Sequence, residues 1–488
     1  MKSMAGAGGN FPAAVMAAAA SALAASPAAA HAFGVRYDLP LPLGIYLAGA
    51  GAAVLLSFVV MARFLKGGGE AETALRLDLL GVPGIGWLGA PAVLDAVRAL
   101  AVAAFALLLV AALFGNPDPF RNIAPTFVWV IWWVGMAFIS ALLGNLWTLT
   151  NPWDILFAWA ERAAGGFRPV CAYPARLGRW PAVALFLAFA WMELISGIAE
   201  QPRVLAAVIL AYSAITWVGM WAFGREAWLR NGEAFAAAFG LLARFAPTAG
   251  GDGRWDLRLP AVGLLSERPA PVSTVCFVLL LLTTVTFDGI LETPIWAAIL
   301  ESVAQSRALR APLLALQEAG VDLIVLIKTV ALLALPCVFV AVYLAFSHAI
   351  AMFGGGGRVP TRDVAGYFVF SLVPIAIAYH LSHYLSYLLI AGQNIVPLAS
   401  DPFGLGWDLL GTAGHRIDIG IVNARMVWYV AVTAIVTGHV LAVYVGHVMA
   451  MRVFGERNAA LRSQVPMVVL MIAYTMISLW ILSQPIVA

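Results

Sequence analysis

The sequence predicts an all-α polytopic integral membrane protein. Three observations carry that reading: the composition, a series of long apolar runs, and the placement of positive charge. Of the 488 residues, 62% are hydrophobic and 11% charged, with a mean hydropathy of +0.92. A soluble globular chain has about a quarter of its residues charged. The net charge of +3 is too small to argue for nucleic acid. The partner that the composition implies is the lipid bilayer.

The N-terminus reads as a signal peptide. Lys2 supplies a positive start, an Ala-rich apolar stretch follows, and Ala30-His31-Ala32 has the small-x-small form of a cleavage site. The expected division is a signal peptide over 1–32 and a single multi-span membrane domain over 33–488. The competing reading is an uncleaved first helix. Export of the N-terminus places Phe33 outside.

A span needs about 20 apolar residues. Ten runs after the signal peptide qualify: 43–64, 97–115, 124–147, 181–199, 204–223, 271–291, 321–345, 365–391, 427–450 and 465–484. Of the 28 Lys and Arg, 19 fall in the loops this topology puts inside and 7 in segments it puts outside. The positive-inside rule therefore agrees with the signal peptide. Ten spans place the mature N-terminus and the C-terminus on the same outer side. Cys171, Cys276 and Cys337 lie far apart, with no disulfide framework or zinc knuckle, and are expected to be inert buried thiols.

Two inner loops open alike. NPWDILFAWAERAAGG starts at Asn151 and NGEAFAAAFGLLARFAP at Asn231. Each reads as a turn followed by an amphipathic helix lying on the inner surface. A weak internal repeat and convergence on a common interfacial helix both explain the likeness. The segment from Glu292 is amphipathic and helical, on the outer face. The Gly-rich loop from Ser400 to Gly420 is expected to fold back over helix ends.

An ionisable group at the centre of a span costs about 2.5–3.5 kcal/mol to insert, so each one is a functional candidate. Glu193, Asp288, Glu292, Lys328, His380, His383 and His439 fall in one depth band, in the outer half. His447 lies about two helical turns deeper and is expected to hydrogen-bond between helices. His380, His383, Tyr384 and Tyr387 share one helix face. Asp288 and Glu292 are i and i+4.

This band supports several chemistries. His380, His383 and His439 with one or two carboxylates make a ligand set for a divalent transition metal, which would activate a bound water. Lys328 would pair with Asp288 or Glu292, or stabilise an anionic transition state. The candidate catalytic groups are thus Lys328, Asp288 and Glu292. Haem b is the alternative cofactor, with Gly438 beside His439 permitting close approach. Transport is the third class, since such groups relay protons or bind substrate and Pro336 and Pro374 lie inside spans. A purely structural role for each histidine stands beside all three.

HAFGVRYDLPLPLGIYLAGAGAAVLLSFVV (His31 to Val60), GNLWTLTNPWDIL, TFDGILETPIW and YHLSHYLSYLLIAGQNIVPLASDPFG together carry a resemblance. The chain resembles, through most of its length, the bacterial polytopic membrane proteins of the fenitrothion hydrolase family. The resemblance implies a bacterial inner (plasma) membrane location and hydrolysis of a lipophilic organophosphorus triester, with water attacking phosphorus and a nitrophenolate leaving. It assigns no catalytic residue, and the HxHxDH pattern of soluble metallohydrolases is absent. The competing reading is a metal- or haem-binding redox or transport protein using the same cluster.

Overall fold

The computed structural model describes residues 39–65, 76–251 and 253–487. The expected signal peptide, 1–32, lies outside the described residues. Among the described residues, ten helices are long and apolar enough to cross a membrane. They are α1 (Leu43–Phe64), α2 (Pro91–Phe114), α3 (Ile123–Leu142), α5 (Trp180–Leu194), α6 (Pro202–Phe223), α9 (Val272–Leu291), α12 (Leu323–Gly355), α13 (Thr361–Ser400), α14 (Ala424–Phe454) and α15 (Arg457–Val487). All ten expected spans are present, and α1 has the expected bounds. In hydrocarbon each backbone N–H and C=O must find its partner within the chain, and an apolar helix satisfies them locally.

Burial ranks the spans. In the apolar windows of α13 and α9, 83% and 72% of residues are buried, against 11% for α12. The first two are the centre of the bundle, and α12 is at its rim. Two spans are irregular. Thr126–Val134 within α3 is π-helical. In α13, 3-10 turns at Val369–Leu372 and Gly392–Asn394 interrupt the α-helix. At Gly438 of α14, an added Cβ would lie 2.5 Å from the Ala378 Cβ and 2.8 Å from the Pro374 carbonyl oxygen, both on α13. The room that this glycine leaves is filled by the neighbouring helix.

The two like-opening loops do not lie on the surface. The helices they form, α4 (Pro152–Ala163) and α8 (Ala234–Ala243), begin inside the bundle. Trp153 packs edge-on against Phe105 of α2, and its indole donates to Ser213, at the middle of α6. Only the last turn of α4 is exposed, and eight of the ten residues of α8 are buried. A short helix α7 (Arg225–Asn231) leads into α8. Both segments are re-entrant. Sequence amphipathicity gave the helices correctly but not their surroundings, because protein and lipid are equally good hosts for an apolar face.

At the Arg-rich end of the bundle lies a three-stranded antiparallel sheet of order β1-β3-β2, from β1 (Leu77–Asp78), β2 (Thr248–Gly251) and β3 (Arg254–Leu257). At the other end, the amphipathic segment after α9 is two helices, α10 (Pro294–Gln305) and α11 (Arg307–Glu318), broken at Ser306, which caps the second. The Gly-rich loop does fold back. Phe403 and Pro402 accept backbone bonds from Asn116 and Ile123, which flank the α2–α3 turn. The three cysteines are free, but the expectation of buried thiols fails: Cys171 and Cys337 are exposed and Cys276 is half-buried. Cys337 is on α12, the rim helix, where an exposed apolar side chain faces lipid.

Candidate functional site

The bundle's two central helices meet at a polar cluster. Asp288 is in the last turn of α9, where the helix nears the Arg-poor end. One oxygen of its carboxylate, Oδ2, lies 2.8 Å from His383 Nε2 and accepts the Tyr384 hydroxyl at 2.8 Å. Both partners are consecutive residues of α13. The His383 side chain is 5% exposed and that of Asp288 23%. The pair is therefore largely buried, with part of the Asp288 side chain exposed. The contact between His383 Nε2 and Asp288 Oδ2 ties the imidazole of α13 to the carboxyl group of α9.

His380 faces elsewhere. It stacks obliquely on the Tyr384 ring at 4.7 Å and meets the edges of Phe138 and Trp133 of α3 at 5.5 and 6.0 Å. Trp133 belongs to the π-helical stretch, a distortion concentrated at functional sites. His380, Tyr384, Thr284 and Glu193 line a cavity of ≈ 30 Å³. That exceeds the ~10–15 Å³ needed for one water. Glu193 thus reaches Tyr384 from α5, and Tyr384 connects this cavity to Asp288.

A second polar group lies behind Asp288. The Tyr474 hydroxyl of α15 bonds Thr286 of α9 at 2.7 Å. His439 of α14 packs against the Tyr474 ring at 6.0 Å, and its Nδ1 lies 2.8 Å from the Ile435 carbonyl oxygen. The Tyr379 hydroxyl lies against Gly289, where a Cβ would come within 2.6 Å of it. Glycine one residue after Asp288 therefore lets α13 approach α9 at the site.

The expected three-histidine metal set is not assembled. His380 faces α3, His383 faces α9 and His439 faces α15. Among the described residues, no three His, Cys, Asp or Glu side chains converge as one ion would require. Residues three apart on a helix differ by about 60° around its axis, and that angle sends His380 and His383 to different neighbours. Of the expected catalytic groups, Asp288 bonds His383 directly, and Glu292 lies close enough to feel the charges of Asp288, His383 and Lys328. Lys328 is half-buried on α12, and Glu292 is an exposed residue that ends α9. Burial, then the Asp288 carboxylate, push the Glu292 carboxyl above its usual range, while His383 and Lys328 oppose the shift. His447 bonds Gln464 of α15 through Nδ1 at 2.9 Å, the interhelical role expected of it.

Sequence reasoning missed two hubs. Tyr384 shares the histidine face in the sequence, and the signal for its partner is that a buried Tyr hydroxyl needs an acceptor and Asp288 shares its depth. Glu233 lies in the turn that opens the second of the two like loops. It is fully buried and its carboxylate accepts from the Phe235 and Ala236 backbone at 2.9 and 2.6 Å, and from Tyr212, Asn151 and Trp147. The chain matches no protein-family model, no curated protein and no solved structure.

Proposed function

We propose that this is a membrane transport protein whose cycle takes up and releases a proton at Asp288. The observation that carries the reading is the shared oxygen of Asp288, bonded at 2.8 Å by both His383 and Tyr384. A carboxylate between two spans, partly open and backed by a Tyr and a His, has a place to accept a proton and groups to pass it on. The water-sized cavity extends the run of polar groups to His380 and Glu193. Interrupted spans and helices that begin inside the bundle also favour transport, since such folds build their sites from discontinuous helices. By the charge asymmetry of the loops, Asp288 opens to the outer side.

Infrared difference spectra of the purified full-length protein between acid and neutral pH test this directly. The carbonyl band of a protonated carboxyl should appear at acid pH and lose one component in Asp288→Asn. Proton uptake into proteoliposomes under an imposed gradient should fall at least tenfold in the same variant. Unchanged spectra and unchanged uptake would end the proposal.

A second reading rests on the same pair together with the family resemblance: hydrolysis of a lipophilic organophosphorus triester of the fenitrothion type. His383, oriented by Asp288, is arranged as a general base is. Water would lose a proton to it, form the new P–O bond and displace the nitrophenolate. The enclosed cavity admits water but not such an ester, so the substrate would approach the open edge of Asp288. Nitrophenolate release by the purified protein, lost in both Asp288→Asn and His383→Gln, is the expected result. No release from wild-type protein would discard this reading and leave the first untouched.

A further inference from the structure

At the Arg-rich end, far along α9 from Asp288, a pocket of ≈ 360 Å³ is lined by Arg179, Arg244, Arg268, Ser266 and Thr274. Three arginines line one pocket, and Arg244 feels the like charge of Arg179. Among the described residues, no carboxylate comes within ion-pair distance of any of the three. Arg179 is the telling member. Its Nη1 is buried and makes no hydrogen bond to the protein. Its backbone N–H donates to the Ser273 hydroxyl at 2.9 Å, which fixes it beside the start of α9. Arg244 donates through Nε to the Gly263 carbonyl at 2.6 Å and lies 3.8 Å over the Phe370 ring. Burial, and then the charges of Arg179 and Arg258, lower its pKa to about 10.

The start of α9 adds a second, independent feature. Its N-cap is Pro271, which offers no side-chain cap, and the first amides to find a partner are those of Thr274 and Val275. The N–H groups of Val272 and Ser273 come before them, at the positive end of a helix of 20 residues. Pro271 and Thr274 both line the pocket. Planar guanidinium forks and a helix N-terminus are the two protein devices best matched to phosphate.

We infer that this pocket binds a phosphate group, free or carried on a lipid headgroup. The inference does not depend on the function proposed for Asp288. Phosphate neutralises the three arginines and caps α9 at once. By the charge asymmetry of the loops, the site faces the cytoplasmic side.

The test uses the purified full-length protein in detergent after delipidation, with inorganic phosphate as the probe and thermal unfolding as the readout. Phosphate should raise the melting temperature saturably, and chloride at equal ionic strength should not. Arg179→Gln should weaken the phosphate effect at least tenfold. It should also raise the melting temperature in the absence of phosphate, because it removes a repelling charge; a purely structural arginine would do the reverse. Exposed Arg268→Gln gives the same comparison should Arg179→Gln not fold. Native mass spectrometry of protein purified without delipidation separates the sources. Anionic phospholipid retained by wild-type protein, and lost in the variant, identifies a headgroup. Phosphate binding with no retained lipid identifies the free anion. Wild-type protein that binds neither, or variants that bind both as wild type does, would overturn the inference.

Discussion

Asn151 and Glu233 each cap a different helix, and the Asn151 amide donates to the Glu233 carboxylate over 3.4 Å. Asn151 Oδ1 accepts from Trp153 and Asp154 at the start of α4, and Glu233 does the same for α8. Two re-entrant helices are thereby pinned start to start inside the bundle. Glu233→Ala removes a cap and orphans buried donors. A loss of about 3 kcal/mol or more is expected from these terms. Glu233→Gln keeps an acceptor and should cost less. Thermal unfolding of the two variants checks the order.

Asp288 and Tyr384 should be energetically coupled. A hydrogen bond to a charged group contributes about 1.5–3 kcal/mol. A double-mutant cycle of Asp288→Asn with Tyr384→Phe should return a coupling of that size. The same cycle with Tyr387→Phe should return a smaller coupling, because Tyr387 lies further out and meets Tyr384 ring to ring at 6.5 Å.

Gly438→Ala should push α13 and α14 apart. Its new Cβ would meet Ala378 at 2.5 Å. Overpacking of this kind costs about 1–3 kcal/mol. Gly49→Ala in α1 is the control, since a Cβ there meets nothing within 4 Å. It should be neutral or slightly stabilising through helix propensity. Equal melting temperatures for the two variants would show that the contact is not tight.

Glu292 gives a pH-dependent prediction. Its pKa is raised in the fold, so the folded state holds that proton more tightly than the unfolded chain does. Above the folded pKa, the charged form works against folding. Glu292→Gln should therefore raise the melting temperature at neutral pH. Its advantage should shrink as pH falls through the carboxylate range. A gap that widens in acid would reverse the sign of this argument.

The spans were legible because bilayer thickness imposes one length on every apolar run. Arg and Lys positions gave the alternation of the loops. The site was legible only as a list. His380, His383 and Asp288 were visible as costly residues, and their common depth followed from counting along helices. Which way each faced did not follow. Helix rotation is set by packing, as where Gly438 admits α13, and no local pattern records it. The re-entrant helices were hidden for a related reason. The apolar face of PWDILFAW looks the same whether Phe105 or a lipid covers it.

Pairing of Leu77 with Leu257 has a consequence for biosynthesis. The strand between the first two spans cannot find its partner until 180 more residues have left the ribosome. At translation rates of 5–20 residues per second, that wait is roughly 10–35 s. α1 precedes this interval, and α2 is made early within it. The sheet is therefore a late latch, closed only after α3, α5 and α6 are in place.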